Sequence, residues 1–393
     1  MKEKIAIVNQ RYGLEVNGGS EYYTRQLAEH LTAQYEVEVL TTQALDYDTW
    51  ENYYPDDVEI IRGVTVRRFE VKGKRRALAM SFWGRMQKYC PFFRKYSGAR
   101  WIAAQGPVAP MLIQYIKDHK DEYQIIFFVT CLYYPAVNGI KIAAEKSILL
   151  PTAHDEPYIY YPVYHDAFMK PKALIYLTPE EKKFVESHFN VSQKPNCVCG
   201  SGVDIPETVD SGYFREKYGI EGDYLIYAGR IDESKGCSEM FHIFKAYREQ
   251  NPDVEIRLVL LGKRVMEIPD DENILSLGFV PEQDKFDGIS GAKALWLPSR
   301  YESLSLAVLE AMGLGTPVIV NGRCEVLKGH CDRSGAGLYY LDERQALEDL
   351  KSLMDMENYD RMSENAKAYV RENYRWDIAA KRIDELLMQI IIS

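Results

Sequence analysis

The chain has 393 residues and a formal net charge of −10; that length is too great for one ordinary core and implies two domains, while the acidic balance excludes a general nucleic-acid binder. No apolar run approaches the roughly 18–20 residues that span a bilayer, and no signal peptide is visible, because Lys4–Asn9 reads directly as a buried strand. The seven cysteines form no CxxC pair, which argues against a zinc site or disulfide framework and favours a reducing cytoplasm.

In chain order, the apolar run Ile5–Val8 ends in a polar loop, Asn9–Gly19, closed by Asn17-Gly18-Gly19-Ser20. Ser20 suits an N-cap. The helix Glu21–Leu31 follows, with Tyr23, Leu27 and Leu31 four apart on one face. Strand, glycine turn and helix begin a βαβ unit. Paired glycines at a helix start let backbone N–H groups approach an anion, although many such turns are purely steric. Glu36–Thr42 and Val64–Glu70 read as strands.

From Val71 to Lys117 there is no Asp or Glu. Lys72, Lys74, Arg75, Arg76, Arg85, Lys88, Arg94, Lys95 and Arg100 alternate there with Phe82, Trp83, Tyr89, Phe92, Phe93, Tyr96 and Trp101. Basic residues with aromatics suit an anionic membrane surface or a phosphate-bearing acceptor. The plainer alternative is a solvated basic loop with core aromatics.

Val108–Lys117 reads as a helix, and Ile125–Val129, Ser147–Leu150, Ala173–Thr178 and Cys197–Val203 as strands. Alternating strands and helices imply a parallel sheet covered on both faces. The segment Pro151–Asp166 follows a strand end, where open α/β sheets bind ligands. His154 and Asp155 fall there, with Tyr158, Tyr160, Tyr161 and Tyr164 close behind. These tyrosines suit stacking on sugar faces or simple packing.

Residues 204–222, with Pro206 and several acids, read as a linker. A second α/β series then runs through strands Tyr224–Ala228, Ile256–Leu261, Ile274–Phe279, Ala294–Pro298, Pro317–Asn321 and Ala336–Leu341. Helices are expected at Cys237–Glu249, Ala346–Glu357, Asp360–Glu372 and, amphipathic, Ile378–Ile392.

Arg230 and Lys235 lie in the polar turn after the first of these strands, as a guanidinium fork and a point charge suited to a diphosphate. A polar turn, Ser299–Ser305, leads into an apolar helix whose free N–H groups and dipole also suit phosphate. Glu310 on that helix needs hydrogen-bond donors if buried, either ribose hydroxyls or a salt-bridge partner. Glu302 precedes the helix and suits sugar hydroxyls or positive charge developing at an anomeric carbon.

Asn17-Gly18-Gly19-Ser20-Glu21, His154, Gly202-Val203-Asp204, Gly229-Arg230 with Lys235-Gly236, Gly278-Phe279-Val280 and Ser299–Glu310 together resemble the retaining glycosyltransferases of family 4, over nearly the whole chain. The resemblance implies an α/β GT-B fold: two Rossmann-like domains facing across a cleft. The first, 1–203, would bind the acceptor and the second, 204–375, the nucleotide sugar; the helix 376–393 would return to the first. It implies transfer from a nucleotide-diphosphate sugar, such as a UDP- or GDP-sugar, to a glycan or lipid-linked acceptor, as in bacterial surface-polysaccharide assembly. Arg230 and Lys235 would hold the diphosphate, Glu310 the ribose, and Glu302 and His154 the donor sugar. Gly18 and Gly19, the Ser303, Leu304 and Ser305 backbone, and Val280 would add donor contacts. No metal or further cofactor is implied. The localisation implied is cytoplasmic, peripheral on the membrane if residues 72–101 dock there.

Two departures stand out. Asn321-Gly322-Arg323-Cys324-Glu325 replaces a frequent Gly-Gly-x-Pro-Glu, and Ser201 stands where an Asn is frequent. Rival readings are a nucleotide-sugar epimerase or sugar phosphorylase on the same fold, which need other acid–base sets or a cofactor lysine, and a non-catalytic nucleotide- or glycan-binding protein.

Overall fold

Runs of Ile, Val, Leu and Phe too short for helices supply the strands of two parallel sheets. The computed structural model describes residues 2–16, 18–353 and 356–392. Asn17, at the head of the glycine motif, lies outside the described residues. The chain divides into two compact units, Met1–Ser201 with Ala379–Ser393, and Gly202–Ile378.

In the first unit the strands are β1 (Lys4–Val8), β2 (Glu36–Thr42), β3 (Val58–Ile61), β4 (Val64–Phe69), β5 (Ile125–Val129), β6 (Ser147–Leu150), β7 (Ala173–Tyr176) and β8 (Asn196–Val198). Their order across the sheet is β3-β4-β2-β1-β5-β6-β7-β8. β5 and β6 are buried at every residue, as a parallel sheet covered on both faces requires. β3 was not expected. It pairs antiparallel with β4 through a two-residue turn, Arg62-Gly63, in which both residues have positive φ. That geometry is the tight hairpin matched to strand twist, and its only sequence signal is Gly63.

The acid-free stretch is not a loop. It forms a helical hairpin, Ala77–Tyr89 and Arg94–Gln105, joined by the single turn Pro91–Phe93. Small residues let the hairpin approach the body closely: a Cβ on Gly84 would lie 2.9 Å from the Tyr161 hydroxyl, and one on Gly98 2.9 Å from Val163. Trp101 is wholly buried, whereas Leu78, Phe82, Tyr89, Phe92, Phe93 and Tyr96 face solvent. The helix expected at Val108–Lys117 runs Pro110–His119, starting at a proline suited to the first helical turn.

The second unit contains β9 (Asp223–Ala228), β10 (Ile256–Leu261), β11 (Ile274–Gly278), β12 (Ala294–Leu297), β13 (Val318–Asn321) and β14 (Gly337–Tyr340), ordered β11-β10-β9-β12-β13-β14. Residues 204–222 are not a plain linker. Ser211–Tyr218 is a helix capped by Asp210, whose carboxylate accepts from Tyr213 N at 2.9 Å. Its Phe214 is buried close to Gly288 of the helix Glu282–Ser290, which ties it to this unit. A short, highly charged helix such as this carries little apolar periodicity to announce it.

The final helix, Trp376–Ile392, begins in the second unit and from Ala379 belongs to the first. Ala379, Ile383, Leu386, Leu387 and Ile390 are buried at helical spacing. Asp384 accepts from Tyr35 at 3.0 Å, and Arg382 donates to the Val198 and Cys199 carbonyls.

The glycine turn of the first unit rests on a buried ion pair. The Arg11 guanidinium donates to Glu21 Oε1 from Nε at 3.0 Å and Nη2 at 2.6 Å, and Gln10 Nε2 adds a third bond at 2.9 Å. Ser20 does not cap the helix. The helix runs Gly19–Leu31 with Gly18 before it at φ 150°, and the Ser20 hydroxyl donates to Glu21 Oε2 instead. Removing one partner of a buried pair strands the other, at a cost of about 3–5 kcal/mol. Glu21→Ala is therefore expected to lose stability of that order, read as faster hydrogen exchange along Gly19–Leu31; unchanged exchange would remove the ion pair from this role.

Candidate functional site

In each sheet the strand order reverses at one place, between β1 and β5 and between β9 and β12. Loops leaving the C-terminal ends of strands on either side of a reversal separate and leave a crevice, where open α/β sheets hold ligands. The turn after β9 carries Arg230 and Lys235, and the loop after β12 carries Glu302 to Ser305. These sequence-predicted residues thus meet at one switch point.

The turn is built for close approach. Gly236 has φ 79°, and a Cβ there would lie 2.5 Å from the Pro298 carbonyl oxygen. The turn after β9 therefore packs directly against the end of β12. Asp232 organises it: its carboxylate accepts from Lys235 N at 2.9 Å, from the Ser234 hydroxyl at 2.7 Å and from Arg230 Nε. Burial works against the Asp232 charge, but Ser234, Arg230 and the Lys235 amide outweigh it and hold the carboxyl below its ordinary value. Lys235 Nζ then donates to Glu302 Oε1 at 2.6 Å. The cation assigned to the diphosphate and the acid assigned to the sugar are partners in this state.

The helix after the loop runs Leu306–Leu314, later than the expected start near Ser303. Ser305 stands before it at φ 70°, a left-handed conformation uncommon for a residue with a Cβ. The amide groups of Ser305, Leu306, Ala307 and Val308 donate to no acceptor among the described residues. They are the orphan donors every helix start presents, here concentrated at the switch point. Leu304 is buried, while Ser303, Leu306 and Ala307 are half-buried.

Glu310 is buried, and its partner is Lys285 of the helix Glu282–Ser290, whose Nζ donates to Oε1 at 2.7 Å. Burial pushes the Glu310 carboxyl above its ordinary value, and Lys285 offsets only part of that. Of the two options open in the sequence, the salt bridge is thus occupied. Oε2 makes no hydrogen bond among the described residues. Lys285 was not singled out from the sequence, where it is the single lysine of a short acidic helix.

Val280 follows β11 at the sheet edge and is half-buried, with β10 between that strand and β9. In the atypical segment after β13, Asn321 Nδ2 donates to the Pro298 carbonyl at 3.1 Å, and Arg323 pairs with Glu239 at 3.1 Å. Glu325 opens the helix Glu325–Ser334.

In the first unit, His154 follows β6 and is partly exposed. Its Nδ1 lies 3.4 Å from the Thr152 carbonyl and its Nε2 3.7 Å from Glu156 Oε1. Burial raises the Glu156 carboxyl above its ordinary value, against the pull of His154. Beneath them Glu181 spans two strand ends, accepting from Ala153 N at 2.7 Å and Leu177 N at 2.6 Å. Full burial pushes its carboxyl up to about 8 despite those two donors. Thr130 and Thr152, both β-branched, hold positive φ of 62° and 48°. Such strain collects at ligand sites. Of the four tyrosines, Tyr161 and Tyr164 pack edge-on against Trp101, Tyr158 lies tilted against the same ring while partly exposed, and Tyr160 faces solvent.

Residues 222–353 match the family model described as Glycosyl transferases group 1. The second unit carries a group 1 glycosyltransferase segment. The chain is 26% identical over 197 residues to the putative glycosyltransferase YtcC of Bacillus subtilis, covering 45% of this chain and 48% of that protein. The chain spans about half the length, or less, of the curated relatives it matches first. Sucrose-phosphate synthase from Thermosynechococcus elongatus superposes over 100% of both chains with a TM-score of 0.72 at 16% identity. Anabaena Alr3699/HepE in complex with UDP and glucose superposes over 98% of this chain and 100% of its own with a TM-score of 0.71 at 14% identity. The fold is GT-B, the class the motifs resemble.

A further buried group lies under the Ser303–Ser305 loop. His330 is wholly inside, with Nε2 2.7 Å from the Leu304 carbonyl and Nδ1 3.0 Å from the Tyr369 hydroxyl. Burial lowers its pKa from 6.5 to about 4, with Arg333 acting in the same direction and the Leu304 carbonyl opposing. The folded state therefore refuses a proton that the unfolded chain accepts. The stability associated with neutral His330 is complete above pH 6.5 and is lost as pH falls toward about 4. Measured as wild type minus His330→Gln, which cannot titrate, stability is expected to drop by about 3 kcal/mol across that window. A flat difference in denaturation at pH values spanning it would count against a neutral buried His330.

Proposed function

We propose that this protein is a retaining glycosyltransferase of family 4, moving a sugar from a nucleoside-diphosphate sugar to a glycan or lipid-linked acceptor in surface-polysaccharide or glycoconjugate assembly. The observation that carries this reading is the Lys235–Glu302 pair beside four helix-start amides, of Ser305 to Val308, that donate to no acceptor among the described residues, at the β9/β12 switch point. UDP and GDP are the candidate nucleotides, and the UDP in the Anabaena HepE structure favours the first.

In this reading the diphosphate takes the N–H groups of Ser305 to Val308 and draws Lys235 away from Glu302. Arg230, oriented by Asp232, adds a second cation. Together they neutralise the charge that grows on the departing phosphate as the anomeric bond breaks, the usual source of the largest rate effect. Glu302, released from Lys235, meets the donor sugar. Glu310 keeps Lys285 on Oε1 and accepts ribose hydroxyls on Oε2. The acceptor hydroxyl enters on the face the phosphate leaves and passes its proton to that phosphate, so configuration is retained. Val280 adds a donor contact beside the nucleotide. In the first unit, Gly18 and Gly19 offer backbone N–H groups to an anion, and His154 binds a sugar hydroxyl. Arg230→Ala is expected to lower turnover by about a hundredfold or more, and Glu310→Ala to weaken nucleotide binding by about tenfold. Unchanged nucleotide affinity of Glu310→Ala by calorimetry would contradict the ribose assignment.

The hairpin at 72–101 supports a lipid-linked acceptor at a membrane surface. Phe92 is fully exposed at its tip, with Phe93, Tyr89 and Phe82 exposed nearby. Arg75, Arg76, Arg85, Lys88, Arg94, Lys95 and Arg100 form no ion pair among the described residues. Exposed aromatics among unneutralised cations suit anionic headgroups above an apolar interior. No helix among the described residues is long and apolar enough to cross a membrane. Co-sedimentation with phosphatidylglycerol vesicles at low salt, weakened at high salt and in Phe92→Ser, is the expected outcome. Absence of binding at low salt would overturn the membrane assignment and leave the transfer reading standing.

A further inference from the structure

We propose that His330 is a positioning residue that sets the Leu304–Ser305 peptide for the phosphate of the donor. The role rests on the transferase reading above. His330 lies on the helix Glu325–Ser334 and is reached by three polar groups from other parts of the unit. Nε2 is 2.7 Å from the Leu304 carbonyl oxygen, and Nδ1 is 3.0 Å from the Tyr369 hydroxyl and 3.5 Å from that of Tyr374.

These contacts fix the tautomer. A carbonyl oxygen only accepts, so Nε2 carries the proton and Nδ1 must accept in turn. Tyr369 can supply that proton because its oxygen is itself provided for. Arg333 Nε donates to it at 3.1 Å, and the Tyr374 hydroxyl lies 3.1 Å away. Arg333, Tyr374, Tyr369, His330 and Leu304 thus form one directed chain of donors ending on a peptide carbonyl.

The consequence lies on the other side of that peptide. A trans peptide is planar, with its carbonyl and the next N–H pointing in opposite directions. Anchoring the Leu304 carbonyl on His330 therefore aims the Ser305 N–H away from the helix Glu325–Ser334. Ser305 has φ 70° and ψ 82°, a conformation that costs about 1–3 kcal/mol in a residue with a Cβ and needs outside support. The His330 bond to the Leu304 carbonyl is such a support on the N-terminal side of Ser305. Without it the peptide is free to rotate, relieving Ser305 and turning its N–H out of line with the amides of Leu306, Ala307 and Val308. A histidine that merely filled space would show no such dependence.

The two amide isosteres separate these roles. Gln places an N–H near the position of Nε2 and keeps the bond to Leu304; Asn, one methylene shorter, reaches only the Tyr369 side. Affinity of the full chain for UDP, GDP and ADP is measured by calorimetry, and release of nucleotide from UDP-glucose and GDP-mannose gives kcat and KM. His330→Asn is expected to weaken nucleotide affinity about tenfold and to raise the donor KM, with His330→Gln within about threefold of wild type. Equal affinity in wild type and His330→Asn, or equal losses in the Asn and Gln variants, overturns the positioning role. Should the His330 variants not fold, the double variant Tyr369→Phe/Tyr374→Phe removes both hydroxyls beside Nδ1 that orient the ring while keeping the packing; wild-type affinity there overturns the role as well. A wild-type chain that binds none of the three nucleotides overturns the transferase reading itself, and this role with it.

Discussion

A charge taken out of water must find a partner, and for three acids of this protein the partner is a cation from a different element. Glu21 on the first helix is held by Arg11 from the loop after β1. Glu302 after β12 is held by Lys235 from the turn after β9. Glu310 is held by Lys285 from the neighbouring helix. A buried pair of this kind adds little net stability over an apolar one, but losing half of it is costly. Such pairs therefore fix how elements meet more than they strengthen the fold. Two of the three lie in the loops at the switch points, where the crevice geometry depends on which turn touches which strand end.

The pairs also explain why the same groups can serve a ligand. Lys235 is about a third exposed and Glu302 less so, so an anion can exchange with Glu302 for the ammonium without leaving either charge stranded in an apolar interior. Glu310 is in the opposite position. It is deep enough that burial dominates its titration, and Lys285 holds only one of its oxygens. Exposure thus separates an exchangeable contact from a fixed one.

Much of this was legible in the sequence. Both sheets are written in short apolar runs, and most strand ends fall within a residue or two of where Ile, Val and Leu give way to Gly, Pro or polar residues. Arg230, Lys235, Glu302 and Glu310 follow strand ends and could be placed by residue type. What could not be read was pairing across long separations. Lys285 and His330 lie 25 and 26 positions from their partners Glu310 and Leu304, with nothing in their own segments to mark them. The hairpin after Val71 misled for a different reason. Its buried positions are Gly84 and Gln87 on the first helix and Ser97, Gly98, Trp101, Ile102, Ala104 and Gln105 on the second, and most of its aromatics face solvent, so small and polar residues occupy much of the face that large apolar ones fill in a core helix.

The division of the chain has a consequence for synthesis. The first unit is discontinuous: its last helix, from Ala379 on, is separated from Ser201 by the entire second unit. A ribosome therefore delivers all of Gly202–Ile378 before Ile383, Leu386, Leu387 and Ile390 exist to cover the apolar surface waiting for them. Until then the β8 side of the first sheet lacks the Arg382 bonds to Val198 and Cys199. The second unit has its whole sequence in one piece and can collapse as the chain emerges, while the first keeps an open face until the final residues arrive.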